Sequence, residues 1–370
     1  MKILFISHCH GHYGASKSLQ SLLLKYDRHE ISLALPSNSL RGNTKGEIRA
    51  FYGPNVSEIV YFRLPFKYCY MGAPERMNLL VRNFLRNLQY LLNREKIYSF
   101  IKERGFDVIH LNAPVLYPLI RPDIPFIVHM RDVMLMDHFK AVVKVLQAKG
   151  IIFIDPGTME PFRGKDLRNI VILNNPFDMT MLESGYDEKV ILREYGLSPD
   201  NIIFSCIGRI KESKGVKFIV ESFLKNKNDR SVLLIFGKGD SGSCYERECR
   251  EIASNDKRIK FMGEERDIAK VYRICDYIIR GDPWHLIGRT VFEGLYSGCD
   301  VILPGCSSDL DRNTDLKKFE GKVHLYSSRN VEELATQINI LTDKVKDRIF
   351  ISNVDEYVNK FDQFIEKVLM

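Results

Sequence analysis

Short apolar runs alternate with longer amphipathic stretches along the first half of the chain. The runs typical of buried strands lie at 2–7, 30–36, 107–112, 125–130 and 150–155. Helical patterns cover 16–26 and 137–148, where apolar residues recur every three or four positions. Strands that alternate with helices indicate an α/β protein with a parallel, doubly wound sheet.

A second series of the same kind begins after "NNPFD", residues 174–178. Its strand-like runs lie at 201–208, 231–237, 258–263, 276–281 and 300–305. We therefore predict two Rossmann-like domains in tandem, at 1–178 and 179–350. The last segment, 351–370, reads as a helix that packs back on the N-terminal domain, because its apolar residues share one face. These residues are Val354, Tyr357, Val358, Phe361, Phe364, Ile365 and Val368.

Composition is that of a cytoplasmic protein with a sizeable core. The chain has 370 residues, of which 45% are hydrophobic, and no apolar run approaches the roughly 18–20 residues that span a bilayer. The first apolar run, "ILFI", is too short for a signal peptide. The eight cysteines are scattered without a Cys-x-x-Cys pair, which favours reduced thiols over a disulfide framework or a zinc site.

Positive charge is concentrated in the first domain. Residues 1–178 hold 24 Lys and Arg against 15 Asp and Glu, whereas the remainder holds 30 against 32. Such a surface suits an anionic partner, either nucleic acid or an acidic membrane leaflet, but no nucleic-acid-reading motif is present. The basic helical stretch 76–96 either lies on anionic lipid or packs on the core with a solvated basic face.

The stretch "HCHGHYGASKS", residues 8–18, follows the first strand. His8, His10 and His12 could form a metal cluster, but no carboxylate follows at helical spacing. Gly14 leaves no Cβ in the way, so a phosphate or sugar could approach the backbone at the helix start. We favour this second interpretation and expect no metal; a tight turn without function is the third.

Two later stretches also follow strands. In "GRIKESKG", Arg209 and Lys214 stand beside glycines, which suits a diphosphate. In "DPWHLIGRTVFEGLYSG", Gly288 precedes a helix expected to run to Gly298, whose free N–H groups would attract phosphate, and Glu293 can accept from sugar hydroxyls.

Taken in order, these motifs resemble the retaining glycosyltransferases of family 4, which have the GT-B fold: two Rossmann-like domains whose parallel sheets face an interdomain cleft. The resemblance covers nearly the whole chain. It rests on "YGASKSL", "NNPFD", "IGRIKESKG", "IFGKGD", "FMGEERDIAKVYRICDYII" and the stretch 282–298.

The resemblance implies an N-terminal acceptor-binding domain, a C-terminal nucleotide-sugar-binding domain, and a role for individual residues. Catalytic roles would fall to His129, His285 and Glu293. Donor contacts would come from Gly14, Arg209, Lys214, Gly237, Lys238, Met262, Gly263, Ile287, Gly288, Arg289, Thr290 and Glu293. Acceptor contacts would come from His10, His12, Asn112, Arg131 and Asp132.

The expected reaction is transfer of a hexosyl residue from a nucleotide diphosphate sugar, UDP-linked rather than GDP-linked, without cofactor or metal. The implied acceptor is a lipid-linked saccharide of surface polysaccharide, at the cytoplasmic face of the inner membrane. One departure matters: His285 replaces a family Glu that contacts the donor sugar, and imidazole brings no fixed negative charge. An epimerase or hydrolase of the same fold, and an inactive binding subunit, therefore stay open as alternatives. A dehydrogenase does not, because Gly-x-Gly-x-x-Gly is missing after the first strand.

Overall fold

A computed structural model describes residues 1–11, 14–66, 77–134, 139–240, 244–282, 287–345 and 348–370. The chain divides into two compact units. Unit 1 comprises Met1–Pro176 and Asn353–Met370, and unit 2 comprises Phe177–Ser352. The expected domain boundaries were 178 and 350.

The strands and helices are numbered in chain order. The strands are β1 Lys2–Ile6, β2 Glu30–Pro36, β3 Val56–Phe62, β4 Val108–Leu111, β5 Phe126–Met130, β6 Gly150–Phe153, β7 Ile170–Ile172, β8 Ile202–Ile207, β9 Ser231–Phe236, β10 Ile259–Gly263, β11 Tyr277–Ile279, β12 Asp300–Pro304 and β13 Val323–Tyr326. The helices are α1 Gly14–Leu23, α2 Lys45–Tyr52, α3 Met77–Arg104, α4 Phe139–Val145, α5 Pro156–Met159, α6 Glu188–Glu194, α7 Val216–Phe223, α8 Cys244–Ala253, α9 Ile268–Ile274, α10 Arg289–Tyr296, α11 Ser307–Arg312, α12 Thr314–Lys317, α13 Val331–Ile340 and α14 Val354–Leu369.

Each unit is built on one parallel sheet. Among the described residues, unit 1 has seven strands in the order β3-β2-β1-β4-β5-β6-β7, and unit 2 has six in the order β10-β9-β8-β11-β12-β13. All neighbouring pairs are parallel. The prediction of two doubly wound α/β sheets is confirmed.

Helices cover both faces of the first sheet, which explains why β1 is apolar at every position after the exposed Lys2. Ile3 and Phe5 face one layer and Leu4 and Ile6 the other, and all four are fully buried. The layer against Ile3 and Phe5 includes α14, so the C-terminal helix belongs to unit 1. All seven apolar residues expected on one face of this helix are buried, as predicted.

Polar contacts also hold α14 in place. The carboxylate of Asp362 accepts a hydrogen bond from the Tyr26 hydroxyl at 2.7 Å and pairs with Arg28 at 3.3 Å. His29 Nε2 lies 2.7 Å from the same carboxylate.

Some helix ends differ from the sequence prediction. The first helix covers Gly14–Leu23 rather than 16–26, and the helix expected to run to Gly298 ends at Tyr296. The basic helix expected over 76–96 continues to Arg104.

Candidate functional site

Both strand orders contain a topological switch point, where successive strands begin to be added on the opposite side of the sheet. In unit 1 it lies between β1 and β4, and in unit 2 between β8 and β11. Open α/β sheets bind ligands outside the carboxyl ends of the strands at such points. The predicted site residues of each unit cluster around these strands.

In unit 1, the loop after β1 is shaped by short polar side chains. The hydroxyls of Ser7 and Ser16 donate to the carbonyl of Cys9 at 2.8 and 3.2 Å. Burial and the charges of Arg86 and Arg131 lower the pKa of His8 to about 4, so this imidazole is neutral at physiological pH.

The other loop residues occupy different positions. The His10 ring packs on the aromatic rings of Phe51 and Tyr52, with centroids 5.1 and 5.6 Å apart. Gly14 is the exposed first residue of α1, and His12 lies outside the described residues. In the part of the chain that is described, no three His, Cys, Asp or Glu side chains come together as a metal site would require.

Three polar residues meet at the ends of β4, β5 and β7: Asn112 and Arg131, which were predicted to belong to the site, and Asn175. Arg131 is 8% exposed, and its Nε donates to the Asn112 amide oxygen at 2.9 Å. Its Nη1 donates to the amide oxygen of Asn175. Asn112 in turn donates to the carbonyl of Ala15 at 3.0 Å, which ties this group to the start of α1. The predicted Asp132 follows directly and is exposed.

His129, predicted to be catalytic, lies inside the sheet layer. It is fully buried on β5, and its Nδ1 is 3.3 Å from Nε2 of the equally buried His110 on β4. Burial, followed by the charge of Arg131, holds the pKa of both imidazoles well below the usual range. A neutral ring with no exposed surface reaches no ligand in this conformation, so a catalytic role for His129 stays a prediction.

In unit 2, backbone hydrogen bonds join the loops that follow β8, β9 and β10. Gly208 N–H donates to the Phe236 carbonyl at 2.9 Å, and Gly237 N–H donates to the Gly263 carbonyl at 2.7 Å. A Cβ at Gly237, where φ is +138°, would overlap the carbonyl oxygen of Gly208, so only glycine fits this approach. Ile210 N–H donates to the Lys238 carbonyl at 3.2 Å.

The two cations predicted to bind diphosphate differ in environment. Arg209 is exposed at the end of β8. Lys214 Nζ lies 2.9 Å from Oδ1 of Asp282, a carboxylate that is 3% exposed. Oδ2 of Asp282 accepts from Nε of the buried Arg280 at 2.6 Å. Lys214 therefore belongs to a mixed-charge cluster rather than to a purely basic loop.

Glu293 is a buried residue of α10 with a partner on each oxygen. It accepts from the Tyr272 hydroxyl at 2.8 Å and from Arg289 Nε at 2.7 Å. Burial and the nearby carboxylate raise the pKa of Tyr272 well above its ordinary value. Glu293 is the fifth residue of α10 and therefore lies one turn into the helix rather than at its start.

The remaining predicted donor residues border the same edge of the sheet. Gly288 is the N-cap of α10, and the Thr290 hydroxyl accepts from Arg280 at 2.8 Å. Ile287 and Met262 are half-buried against the unit 2 core. His285 lies outside the described residues.

Sequence reasoning missed Asn175, Tyr272, Arg280 and Asp282. A usable signal existed for the last two, because "RGD" follows a strand directly and its aspartate is the first residue of the stretch 282–298. Tyr272 lies within a helix and meets Glu293 only through tertiary packing.

Comparison with known proteins shows which protein family and which individual proteins this chain resembles. Residues 201–344, which carry the unit 2 loops, match the family model "Glycosyl transferases group 1". Over 143 residues the chain is 26% identical to the lipopolysaccharide core biosynthesis mannosyltransferase LpsB of Rhizobium meliloti. That alignment covers 37% of this chain and 40% of LpsB, so the chain matches less than half the length of this relative.

The whole fold has solved counterparts. The crystal structure of Anabaena Alr3699/HepE in complex with UDP matches with a TM-score of 0.74 at 17% identity, covering 99% of this chain and 100% of that one. The lipopolysaccharide outer core galactosyltransferase WaaB matches with a TM-score of 0.62 at 14% identity, covering 100% of this chain and 97% of that one.

These likenesses define the chain as a GT-B-type protein, with two Rossmann-like units of parallel sheets. Its segment 201–344 matches the family model of the group 1 glycosyltransferases. The predicted fold and the resemblance to glycosyltransferases are confirmed at this level, while assignment to family 4 stays a prediction.

Proposed function

We propose that the chain transfers a sugar, with retention of anomeric configuration, from a UDP-sugar to the hydroxyl of a saccharide acceptor. The observation that carries this proposal is that Arg209 and Lys214 follow β8 and that Lys214 pairs with Asp282, which follows β11, so that both cations lie at the switch point of unit 2. The family match covers the same segment. The match to LpsB and the UDP-bound state of HepE support a nucleotide-sugar donor.

The chemistry follows from where charge develops. As the glycosidic bond breaks, the leaving diphosphate gains negative charge, and fixed cations lower the energy of that state. Arg209 offers a planar fork of donors and Lys214 a compact positive charge. In this proposal Glu293, held between Tyr272 and Arg289, accepts from the ribose hydroxyls of the donor.

Nucleotide release tests the reaction. The full chain is incubated with UDP-glucose, UDP-galactose or GDP-mannose, with and without saccharide acceptors, and free nucleoside diphosphate is measured. Release that requires an acceptor supports the transferase. Release without acceptor would instead indicate a hydrolase, and donor binding without any release an inactive binding subunit.

We further propose that the acceptor is lipid-linked and that α3 contacts an anionic membrane during surface polysaccharide synthesis. Its exposed apolar residues recur at helical spacing and therefore share one face. Basic side chains of the same helix, including Arg94 and Lys96, suit acidic headgroups. The exposed apolar residues are Val81, Phe84, Leu85, Leu88, Leu91 and Leu92. No described helix is long and apolar enough to cross a bilayer.

Liposome flotation tests the membrane contact. Leu92 is 77% exposed and Phe84 is 67% exposed, so Phe84→Ser with Leu92→Ser should weaken binding to phosphatidylglycerol vesicles without disturbing the core. Ile340→Ser, at a 62% exposed position in unit 2, is the matched control. Equal flotation of the two variants, or flotation that ignores anionic lipid, would refute the contact.

A further inference from the structure

A buried carboxylate holds one of the proposed diphosphate-binding cations. Asp282, at the carboxyl end of β11, is 3% exposed and pairs with Lys214 Nζ at 2.9 Å through Oδ1. Its other oxygen, Oδ2, accepts from Arg280 Nε at 2.6 Å. The carboxylate is therefore shared between two cations that come from different loops.

The backbone brings these loops together at a pair of glycines. Gly215, directly after Lys214, has φ +62°, and a Cβ there would overlap the carbonyl oxygen of Gly281. A Cβ at Gly281 would lie 2.6 Å from the carbonyl oxygen of Gly215. Because both residues lack a side chain, the loop after β8 touches the segment after β11, and Asp282 comes within reach of Lys214.

Arg280 fixes the other side of the carboxylate. Its Nη1 donates to the Thr290 hydroxyl at 2.8 Å, and its carbonyl accepts from the Tyr326 hydroxyl at 2.5 Å. The absent side chain of Gly288 leaves the space that the guanidinium fills. The Lys214 side chain, by contrast, is 43% exposed. Asp282 is thus anchored by a buried arginine and restrains a lysine that reaches solvent.

We infer that Asp282 is a positioning residue of the donor site, which holds the Lys214 ammonium where the donor diphosphate binds. The inference rests on the proposed function, because it explains how one cation of the proposed donor site is held in position. A free lysine loses considerable rotamer entropy when it binds an anion. A lysine already restrained by a buried carboxylate loses less of it on binding.

The direction in which UDP affinity changes when the charge of Asp282 is removed distinguishes positioning of Lys214 from simple electrostatic repulsion. A carboxylate near a diphosphate repels it, so removal of that charge alone would strengthen UDP binding. Loss of positioning has the opposite effect. We expect Asp282→Asn to weaken UDP binding about three- to tenfold, the effect of leaving one long side chain to be immobilised on binding.

A double-mutant cycle with UDP as the probe tests this. Calorimetric UDP affinity is measured for the full chain as wild type, Asp282→Asn, Lys214→Ala and the double variant. In the Lys214→Ala background no lysine remains to be positioned, so Asp282→Asn should there leave affinity unchanged or raise it. Such coupling appears only between residues that act together. UDP binding by Asp282→Asn as tight as or tighter than that of wild type would overturn the inference, as would an equal loss in both backgrounds.

A second variant covers the case in which Asp282→Asn leaves Arg280 uncompensated and fails to fold. Arg280→Met with Asp282→Leu removes the buried pair together, a replacement that proteins often tolerate. Circular dichroism verifies folding, and the loss of UDP affinity should again shrink when Lys214 is Ala. Wild type that binds neither UDP, GDP nor ADP would instead refute the proposed function, which is a separate outcome.

Discussion

The buried histidine pair of unit 1 makes the stability of this unit depend on pH. His110 and His129 are fully buried and remain neutral in the folded state, because burial holds the pKa of each well below its ordinary value. In the unfolded chain each protonates near pH 6.5. As pH falls through that value, the unfolded state binds more protons than the folded state, and unit 1 loses stability.

The magnitude follows from linkage. Between pH 7.5 and 5.5 each such histidine accounts for on the order of 1 kcal/mol of lost stability, and the pair for roughly 2–3 kcal/mol. His8, with a pKa of about 4, adds a loss of the same sign. Asp155, whose pKa burial raises to about 6, acts oppositely, since its folded form gains stability as pH falls from about 6 toward 3.8. The contributions of His8 and Asp155 to the pH dependence cancel when a His129 or His110 variant is compared with wild type, because both proteins contain these groups.

The perturbation is His129→Gln, alone and with His110→Gln. Hydrogen exchange in urea, followed by mass spectrometry on β5 peptides, reports the opening free energy of unit 1 at each pH. The single variant should lose on the order of 1 kcal/mol less than wild type between pH 7.5 and 5.5, and the double variant roughly 2–3 kcal/mol less. Ile127→Val, at a buried position of the same strand, is the control that lowers stability without changing the pH dependence. Parallel pH profiles for wild type and both histidine variants would refute the reasoning.

Three further predictions concern other parts of the molecule. Arg209→Ala and Lys214→Ala should each slow nucleotide release by about 10²–10³-fold, because a cation leaves the diphosphate site; activity within tenfold of wild type would contradict this role. Gly215→Ala should lower Tm and UDP affinity more than Gly105→Ala, since both glycines have φ near +60° but only the first faces a carbonyl in overlap range; equal effects in a thermal shift assay would rule out the close approach. Asp362→Asn should lower the opening free energy of unit 1 by roughly 1–3 kcal/mol, because its donors lose a charged acceptor, and unchanged hydrogen exchange in α14 would count against it.

The central strands and the edge strand β10 could be predicted from the sequence, but the other edge strands, β3, β7 and β13, could not. The apolar run at 30–36 coincides with β2, and the run at 231–237 ends one residue past β9. By contrast, β3 and β7 lie at the two edges of the first sheet and β13 at an edge of the second. Beyond Val56 the residues of β3 are half-buried or exposed, so its sequence mixes polar and apolar positions and lacks a continuous apolar run.

The site was predictable where a single loop carries its chemistry. Arg209 and Lys214 stand in one glycine-bounded loop, so their proximity is visible in the sequence. Asp282 lies far along the chain, and it meets Lys214 because β8 pairs with β11 on one side as well as with β9 on the other. Strand order is a property of the folded sheet, and a linear motif does not specify it.

The two switch points use a buried arginine in different ways. Arg131 and Arg280 each follow a strand directly and are 8% and 9% exposed. Arg131 donates to amide oxygens of Asn112 and Asn175, which carry no charge, and its positive charge still lowers the pKa of the nearby histidines. Arg280 instead faces the carboxylate of Asp282.

This difference separates the tasks proposed for the two units. In unit 1, Arg131 orients the amides of Asn112 and Asn175, and an amide is a neutral hydrogen-bonding partner of the kind that the hydroxyl groups of the expected acceptor require. In unit 2 the buried pair of Arg280 and Asp282 cancels its own charge, so the diphosphate is left to Arg209 and Lys214, the cations that reach solvent. Arg209 is exposed and can follow the phosphates as the leaving group departs, whereas Lys214, restrained by the buried carboxylate of Asp282, keeps its charge at a fixed place beside them.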